Sequence, residues 1–255
     1  MGERFLLRVP GGEVEVDTTA GDPSLATLVF LHEGLGSIDL WRGFPDDVRA
    51  ALGEHPTVVY SRHGYGRSAP ATMPRPVDYM HHEADVVLPA LVAELEMERP
   101  WLIGHSDGAS IALLYAGAGR PVAGIVSLAA HVFVEDASVA GVAAATTAFE
   151  TTAMSERMGR YHHDPVATFR GWSDVWSSAE FRDWNIEDRL PTITAPVLAV
   201  QGHDDEYGTM AQLDAIEQGV AGPCRRVEIV GVGHAPHLDA RERVIAEIVD
   251  VVRGS

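Results

Sequence analysis

Short apolar runs alternate with longer amphipathic stretches along most of the chain. Such alternation is typical of proteins in which β-strands and helices follow one another around a parallel sheet. The apolar runs predict strands at residues 5–9, 14–17, 28–31, 57–60, 101–103, 125–128, 197–200 and 226–230. We expect the first two strands to form a hairpin through Pro10-Gly11-Gly12, and the wholly apolar run 28–31 to be buried on both faces.

Two amphipathic stretches show helical periodicity, one around residues 86–95 and one around residues 244–252. Residues 131–194 break the alternation, because they contain an Ala/Thr-rich stretch and then an aromatic-rich stretch but no convincing strand. We therefore predict a core formed by residues 1–130 and 195–255. Residues 131–194 are predicted to form a mostly helical cap subdomain over the end of the sheet.

The net charge of the chain indicates which classes of partner it does not bind. The formal net charge is −18, and all 19 basic residues are Arg, with no Lys in the chain. A strongly acidic chain disfavours binding to nucleic acid or to an anionic membrane surface, since both require a positive field. We therefore expect neither nucleic acid nor a membrane as a partner, and the motifs described below predict a small-molecule substrate instead. Whether the chain forms a homo-oligomer stays open.

Cysteine usage and hydropathy point to a cytoplasmic protein. Cys224 is the only cysteine, so no internal disulfide can form, and no Cys-His spacing resembles a zinc site. The pairs His81-His82 and His162-His163 also lack the spacing of metal ligands, so no metal is expected. No apolar run approaches the ~18 residues that span a bilayer, and the N-terminus lacks the apolar region of a signal peptide.

The strongest chemical motif is Gly104-His105-Ser106-Asp107-Gly108, which lies between a predicted strand and a predicted helix. This G-x-S-x-G pattern predicts a tight turn that exposes the hydroxyl of Ser106, with small residues on either side because the turn is crowded. The amides at the start of the following helix favour negative charge at the same place. Ser106 is therefore the candidate nucleophile.

A serine nucleophile needs a base and an acid that orients the base. Asp204 and Asp205 follow the strand at 197–200, and His234 follows the strand at 226–230. Either aspartate lies at the end of its strand and is a candidate acid, while His234 is the candidate base. The backbone amides of Gly34, in the loop after the strand 28–31, and of Asp107 are the candidate oxyanion hole.

With these motifs the sequence resembles the α/β-hydrolase family over nearly the whole chain. The stretch Ser61-Arg62-His63-Gly64-Tyr65-Gly66-Arg67-Ser68 is similar to the R-G-x-G-x-S stretch of the family, and Gly233-His234 is similar to the segment carrying its histidine. The resemblance implies an α/β fold with a mostly parallel sheet flanked by helices and a helical cap after strand 6. It also favours Asp205 over Asp204 and implies no cofactor.

One residue departs from the family pattern, since Glu33 follows His32 where glycine is usual. We expect its carboxylate to form an internal ion pair, with Arg62 as the candidate partner. The alternatives are that it faces the substrate pocket or that the loop differs locally from the family pattern. Trp172 and Trp176 are the other candidate pocket residues. His131 is a further candidate, although a packed structural histidine is the favoured interpretation.

These residues predict a serine hydrolase that cleaves a small ester or a related acyl compound, such as a lactone or thioester. Two alternatives share the fold: hydrolysis of a carbon–carbon bond in a ring-fission product, and ligand binding without catalysis. The motifs do not distinguish the two hydrolytic reactions, because one triad supports both.

Overall fold

A computed structural model describes residues 2–254 of the chain. Its eight strands form one sheet in the order β1-β2-β4-β3-β5-β6-β7-β8, with antiparallel pairing of β1 to β2 and of β2 to β4 and parallel pairing of the others. The predicted mostly parallel sheet is therefore confirmed. The strands are β1 (Glu3–Val9), β2 (Gly12–Thr19), β3 (Leu28–Leu31), β4 (Thr57–Ser61), β5 (Trp101–His105), β6 (Gly124–Leu128), β7 (Val197–Gly202) and β8 (Cys224–Ile229).

Helices cover both faces of the sheet. The α-helices are α1 (Phe44–Leu52), α2 (Tyr79–His82), α3 (Leu88–Glu94), α4 (Asp107–Gly117), α5 (Asp136–Thr151), α6 (Met154–Met158), α7 (Pro165–Trp176), α8 (Ala211–Gly219), α9 (Pro236–Asp239) and α10 (Arg241–Arg253). Two 3₁₀-helices, at Ile38–Trp41 and Glu187–Thr192, and a π-helical segment at Glu83–Val87 complete the elements.

Strand β3 shows why the sheet is buried on both sides. Its four residues are all fully buried, as the apolar run predicts. Successive side chains of a strand point to opposite faces. Val29 and Leu31 accordingly pack into the core that contains α3 and α4, whereas Leu28 and Phe30 pack into the core that contains α1 and α10.

The stretch predicted as one helix around residues 86–95 is interrupted by a π-helical turn before α3. Pro89 has no N–H to donate to the carbonyl of Asp85, so the α-helical hydrogen bond at that position is lost. Arg120 Nη2 donates to that carbonyl instead, at 3.1 Å. The missing bond and its external replacement account for the departure from a regular α-helix.

Strand ends differ slightly from the predicted ones. Strand β5 continues to His105, and β8 begins at Cys224 and ends at Ile229 rather than at Val230. Val230 is 81% exposed and lies in a turn with Gly231, whose φ is 75°. The apolar character of Val230 suggested a strand, but a left-handed residue immediately after it turns the chain away from the sheet.

Helices α5, α6 and α7 occupy the interval between β6 and β7 where a cap was predicted. Two aromatic residues join α5 to α7, since the rings of Phe149 and Phe169 stack with centroids 4.0 Å apart. Hydrogen bonds link this interval to the part of the chain that precedes β5, for example from Thr168 Oγ1 to the Gly64 carbonyl at 2.7 Å. The division into core and cap stays a prediction. Residues 1 and 255 of the predicted core lie outside the described residues.

The parallel strands bring four chain segments together at their carboxyl ends. The loops after β3, β5, β7 and β8 carry Gly34, Ser106, Asp205 and His234 respectively. In open α/β sheets this edge is where ligands bind. Within residues 2–254, none of the helices combines the length and the apolar character that crossing a membrane requires.

Gly108 lets α4 pack directly on the end of β3, because a Cβ at this position would overlap the carbonyl oxygen of Leu31. We expect Gly108→Ala to lower the free energy of unfolding by about 1–3 kcal/mol, the cost typical of an overpacked core. Urea denaturation would measure this loss. Gly159→Ala is the matched control, since the nearest atom to a Cβ there lies 3.4 Å away. Equal stabilities of the two variants would contradict the packing argument.

Because several histidines are buried, we expect the free energy of unfolding to fall in acid. Burial, and for His32 also the charge of Arg62, lowers the pKa of His32 and His237 well below 6.5. The unfolded chain therefore binds more protons as pH falls from about 7 to 5, and each such histidine removes up to about 1.4 kcal/mol of stability per pH unit. Denaturation at both pH values would show the loss. His32→Asn should reduce the pH dependence, and an unchanged slope in His32→Asn would contradict this assignment.

Candidate active site

The turn between β5 and α4 is strained at Ser106, whose φ is 52° and ψ is −120°. Residues other than glycine rarely adopt a positive φ, so the surrounding structure must hold this conformation. The turn is also crowded, because a Cβ at Gly104 would overlap the backbone of Ala109. Small residues at both flanks are therefore required, as the motif predicts.

Ser106, His234 and Asp205 form a chain of hydrogen bonds. The Oγ of Ser106 lies 2.9 Å from Nε2 of His234, and Nδ1 of His234 lies 2.8 Å from Oδ1 of Asp205. Because a carboxylate only accepts hydrogen bonds, Nδ1 carries the proton and Nε2 is left to accept from the serine hydroxyl. The arrangement allows His234 to take up the proton of Ser106.

The carboxylate of Asp205 is almost completely buried and is held by several donors. Its Oδ1 accepts from the amide of Tyr207 at 2.9 Å, and its Oδ2 accepts from Nε2 of Gln201 at 3.2 Å. Burial opposes ionisation, but the hydrogen bonds and the nearby His234 lower the pKa of Asp205. Asp204 is exposed, and its amide donates to Val232. The structure therefore brings Asp205, and not Asp204, to the histidine.

The side chain of Asp107 points into the protein and is paired there. It is fully buried, accepts from the Tyr79 hydroxyl at 2.5 Å and lies 3.7 Å from Nη2 of Arg62. Trp176 of α7 in turn donates its Nε1 hydrogen to the Tyr79 oxygen at 3.0 Å. The negative charge next to the nucleophile is thus compensated, and the same hydroxyl connects the turn to the cap.

The candidate oxyanion residues lie on either side of Ser106. Asp107 is the first residue of α4, and N–H groups in the first turn of a helix have no acceptor within the helix. Gly34 lies in the loop after β3, where Trp172 packs so closely that a Cβ would overlap its ring. That these two amides bind an oxyanion stays a prediction.

A cavity of roughly 150 Å³ lies above Ser106. It is lined by Glu33, Gly34, Leu35, Ser106, His131, Val142, Trp172, Trp176, Tyr207 and His234. All four residues predicted for the pocket are among them. Helices α5 and α7 supply Val142 and the two tryptophans, so the interval between β6 and β7 forms one wall of the cavity.

The predicted ion pair between Glu33 and Arg62 is wrong. Arg62 Nη2 donates to the backbone carbonyl of Glu33 at 2.8 Å, and the same nitrogen lies near Asp107. The guanidinium is buried beneath the loop, so it meets the backbone of Glu33 rather than its side chain. The nearest basic nitrogen to the carboxylate is Nδ1 of His105, at 3.7 Å.

His131 both lines the cavity and is packed. It is 3% exposed, its Nε2 lies 3.1 Å from the carbonyl of Tyr207, and its ring meets Trp176 edge-on. Burial, together with the neighbouring His234, lowers the pKa of His131. The neutral ring therefore donates its Nε2 hydrogen to Tyr207.

Sequence reasoning missed Tyr207, whose ring centroid lies 4.7 Å from that of His234. Burial raises the pKa of Tyr207 to about 12, so the phenol stays protonated at neutral pH. Its position two residues after Asp205, at the carboxyl end of a parallel strand, is the signal that could have found it. Within residues 2–254, no group of three or more His, Cys, Asp or Glu side chains is arranged to hold a metal ion.

Comparison with solved structures reveals the same fold at low sequence identity. A carboxylesterase from Bacillus subtilis shares 18% identity with a TM-score of 0.73, covering 100% of this chain and 93% of that chain. An enol-lactonase from Burkholderia xenovorans LB400 shares 17% identity with a TM-score of 0.75, covering 98% of this chain and 100% of that chain. A proline iminopeptidase from Mycobacterium smegmatis shares 19% identity with a TM-score of 0.72, covering 99% of this chain and 98% of that chain.

Among curated proteins, no sequence relative matches the chain. The sequence model of the alpha/beta hydrolase family matches residues 28–247. This match covers the strands β3 to β8 and all the residues of the candidate site. The protein therefore belongs to the alpha/beta hydrolase family.

Proposed function

We propose that the protein is a serine hydrolase that cleaves a small ester or a related acyl compound. Ser106 is the nucleophile, His234 the general base and Asp205 the residue that orients the histidine. The hydrogen-bonded chain from Ser106 through His234 to Asp205 is the observation that carries the proposal. It meets the geometric requirement for nucleophile activation, since each partner is within hydrogen-bond distance of the next.

The reaction proceeds through two displacements at the acyl carbon. Ser106 Oγ attacks the carbonyl carbon while its proton moves to Nε2 of His234, and the carbonyl electrons move to the oxygen. The tetrahedral intermediate collapses when the C–O bond to the alcohol breaks and His234 donates its proton to that alcohol. Water then attacks the acyl-enzyme, again giving its proton to His234, and the acid leaves as the Ser106 oxygen regains a proton.

The surroundings of the histidine support this assignment of roles. A lowered pKa keeps Asp205 ionised, so its charge stabilises the imidazolium that forms when His234 takes up a proton. The amides of Gly34 and Asp107 are the donors that we assign to the oxyanion. One such donor typically contributes about 3 kcal/mol to the transition state.

Two features support a small acyl substrate. The cavity above Ser106 has a volume of roughly 150 Å³ and is walled mostly by apolar and aromatic side chains, which favours a compact substrate. The names of two similar structures, a carboxylesterase and an enol-lactonase, both denote hydrolysis of an ester bond.

Ser106→Ala tests the nucleophile. We expect hydrolysis of short p-nitrophenyl esters to fall by about 10³-fold or more, because the covalent route is removed. Mass spectrometry of the protein after treatment with a fluorophosphonate probe should show one adduct on the natural chain and none on Ser106→Ala. Substitution of the exposed Ser177 by Ala is the control and should change neither result. Unchanged hydrolysis by Ser106→Ala would contradict the mechanism.

Two neighbouring aspartates provide a matched test of the acid. Asp205→Asn should lower kcat/KM by about 10²–10⁴-fold, because an amide does not stabilise the imidazolium or fix the same tautomer. Asp204→Asn removes the same charge one residue earlier, at an exposed position, and should leave kcat/KM within about twofold. Steady-state kinetics on one ester would compare them, and equal losses would refute the assignment of Asp205.

A further inference from the structure

The cavity above Ser106 combines one carboxylate with several aromatic rings. Glu33 lines it together with Trp172, Trp176 and Tyr207, and no arginine is among its lining residues in the described part of the chain. A carboxylate in a mostly apolar site is costly unless a positive charge accompanies it. The composition therefore matches a ligand that brings its own positive charge.

The carboxylate of Glu33 is without a hydrogen-bonded partner of opposite charge in residues 2–254. His105 Nδ1, at 3.7 Å, is too distant for a hydrogen bond, and Arg62 donates to the carbonyl of Glu33 instead. The side chain is 30% exposed and lines the cavity, so a ligand in the cavity can contact it. Burial opposes ionisation, but the neighbouring His105 and Arg62 lower the pKa of Glu33, and the group is negative at neutral pH.

The position of Glu33 also matters for the reaction. It directly precedes Gly34, whose amide we assign to the oxyanion, and both residues line the cavity above Ser106. A carboxylate and an oxyanion in the same cavity repel each other, and the repulsion grows in a site that excludes water. A cationic group of the substrate next to Glu33 would offset this repulsion. A neutral substrate would leave it in place.

The aromatic walls fit the same ligand. Trp172, Trp176 and Tyr207 all line the cavity. The rings of Trp172 and Tyr207 contact each other edge-to-face with centroids 6.3 Å apart, and Trp176 contacts His131. Aromatic faces attract cations through the ring quadrupole, and sites built from several such rings bind quaternary ammonium groups. Because His131 is neutral, it adds no charge that would repel a cation.

We propose that the site takes small acyl compounds that carry an ammonium group, with the cation held against Glu33 and the faces of Trp172 and Trp176. The acyl part of this inference rests on the proposed function. The cation site itself does not, because it depends only on the cavity.

Binding of choline and of its neutral carbon isostere, 3,3-dimethylbutanol, tests the cation site without any reaction. Calorimetric titration of the natural chain should give a dissociation constant about tenfold lower for choline. In Glu33→Gln, which keeps the shape and removes the charge, this preference should fall to within about twofold. Glu156→Gln removes an exposed carboxylate and is the matched control. Equal binding of the two ligands by the natural chain, or an unchanged preference in Glu33→Gln, would overturn the inference.

Hydrolysis of acetylcholine and of 3,3-dimethylbutyl acetate tests the complete proposal. The ratio of their kcat/KM values should drop about tenfold in Glu33→Gln relative to the natural chain. Labelling of Ser106 and hydrolysis of the neutral ester, with no preference for the cation, would refute the cation site alone. Preferential choline binding with no labelling and no hydrolysis would refute the proposed function alone. Glu33→Asp retains the charge and should retain part of the preference for the cationic ester. It keeps the test decisive if Glu33→Gln fails to fold.

Discussion

The chain passes from β5 into α4 through a single residue in a left-handed conformation, and the rest of the site depends on this turn. Every residue of α4 is buried, so the packing of this helix holds Ser106 in a conformation that costs about 1–3 kcal/mol. The same packing sets the first turn of α4 against the end of β3, where the loop carrying Gly34 begins. The packing of α4 therefore both holds the turn at Ser106 and places the amide of Asp107 near the loop that carries Gly34.

Three carboxylates lie around the turn, and the protein compensates two of them more completely than the third. Asp107 is fully buried against Tyr79 and Arg62, and Asp205 is bound by amides and by His234. Glu33 is near His105 but is not hydrogen-bonded to it. The first two negative charges are therefore fixed by the protein, and the third faces the cavity. This difference decides which charge remains available to a ligand.

The sheet and the hydrogen-bonded chain at Ser106 could be predicted because both follow from local patterns. Burial on two faces demands continuous apolar strands such as β3, and parallel strands bring their carboxyl ends to one edge. A motif at one strand end, Ser106, therefore implies that Asp205 and His234, at the ends of two others, lie nearby. The choice between Asp204 and Asp205 needed the family resemblance, since both follow the same strand.

The partner of Glu33 and the place of Tyr207 could not be predicted in this way. Arg62 and Glu33 have opposite charges, but charge alone does not show that the guanidinium donates to the backbone carbonyl of Glu33 instead of its carboxylate. Tyr207 lines the cavity together with Trp172 of α7, and the two rings are in contact there. Contacts between distant segments depend on how helices pack over the sheet, and composition does not specify that packing. The net charge of −18 likewise does not predict the charge of the cavity. It sums over the whole chain, whereas the carboxylate among the residues that line the cavity is Glu33.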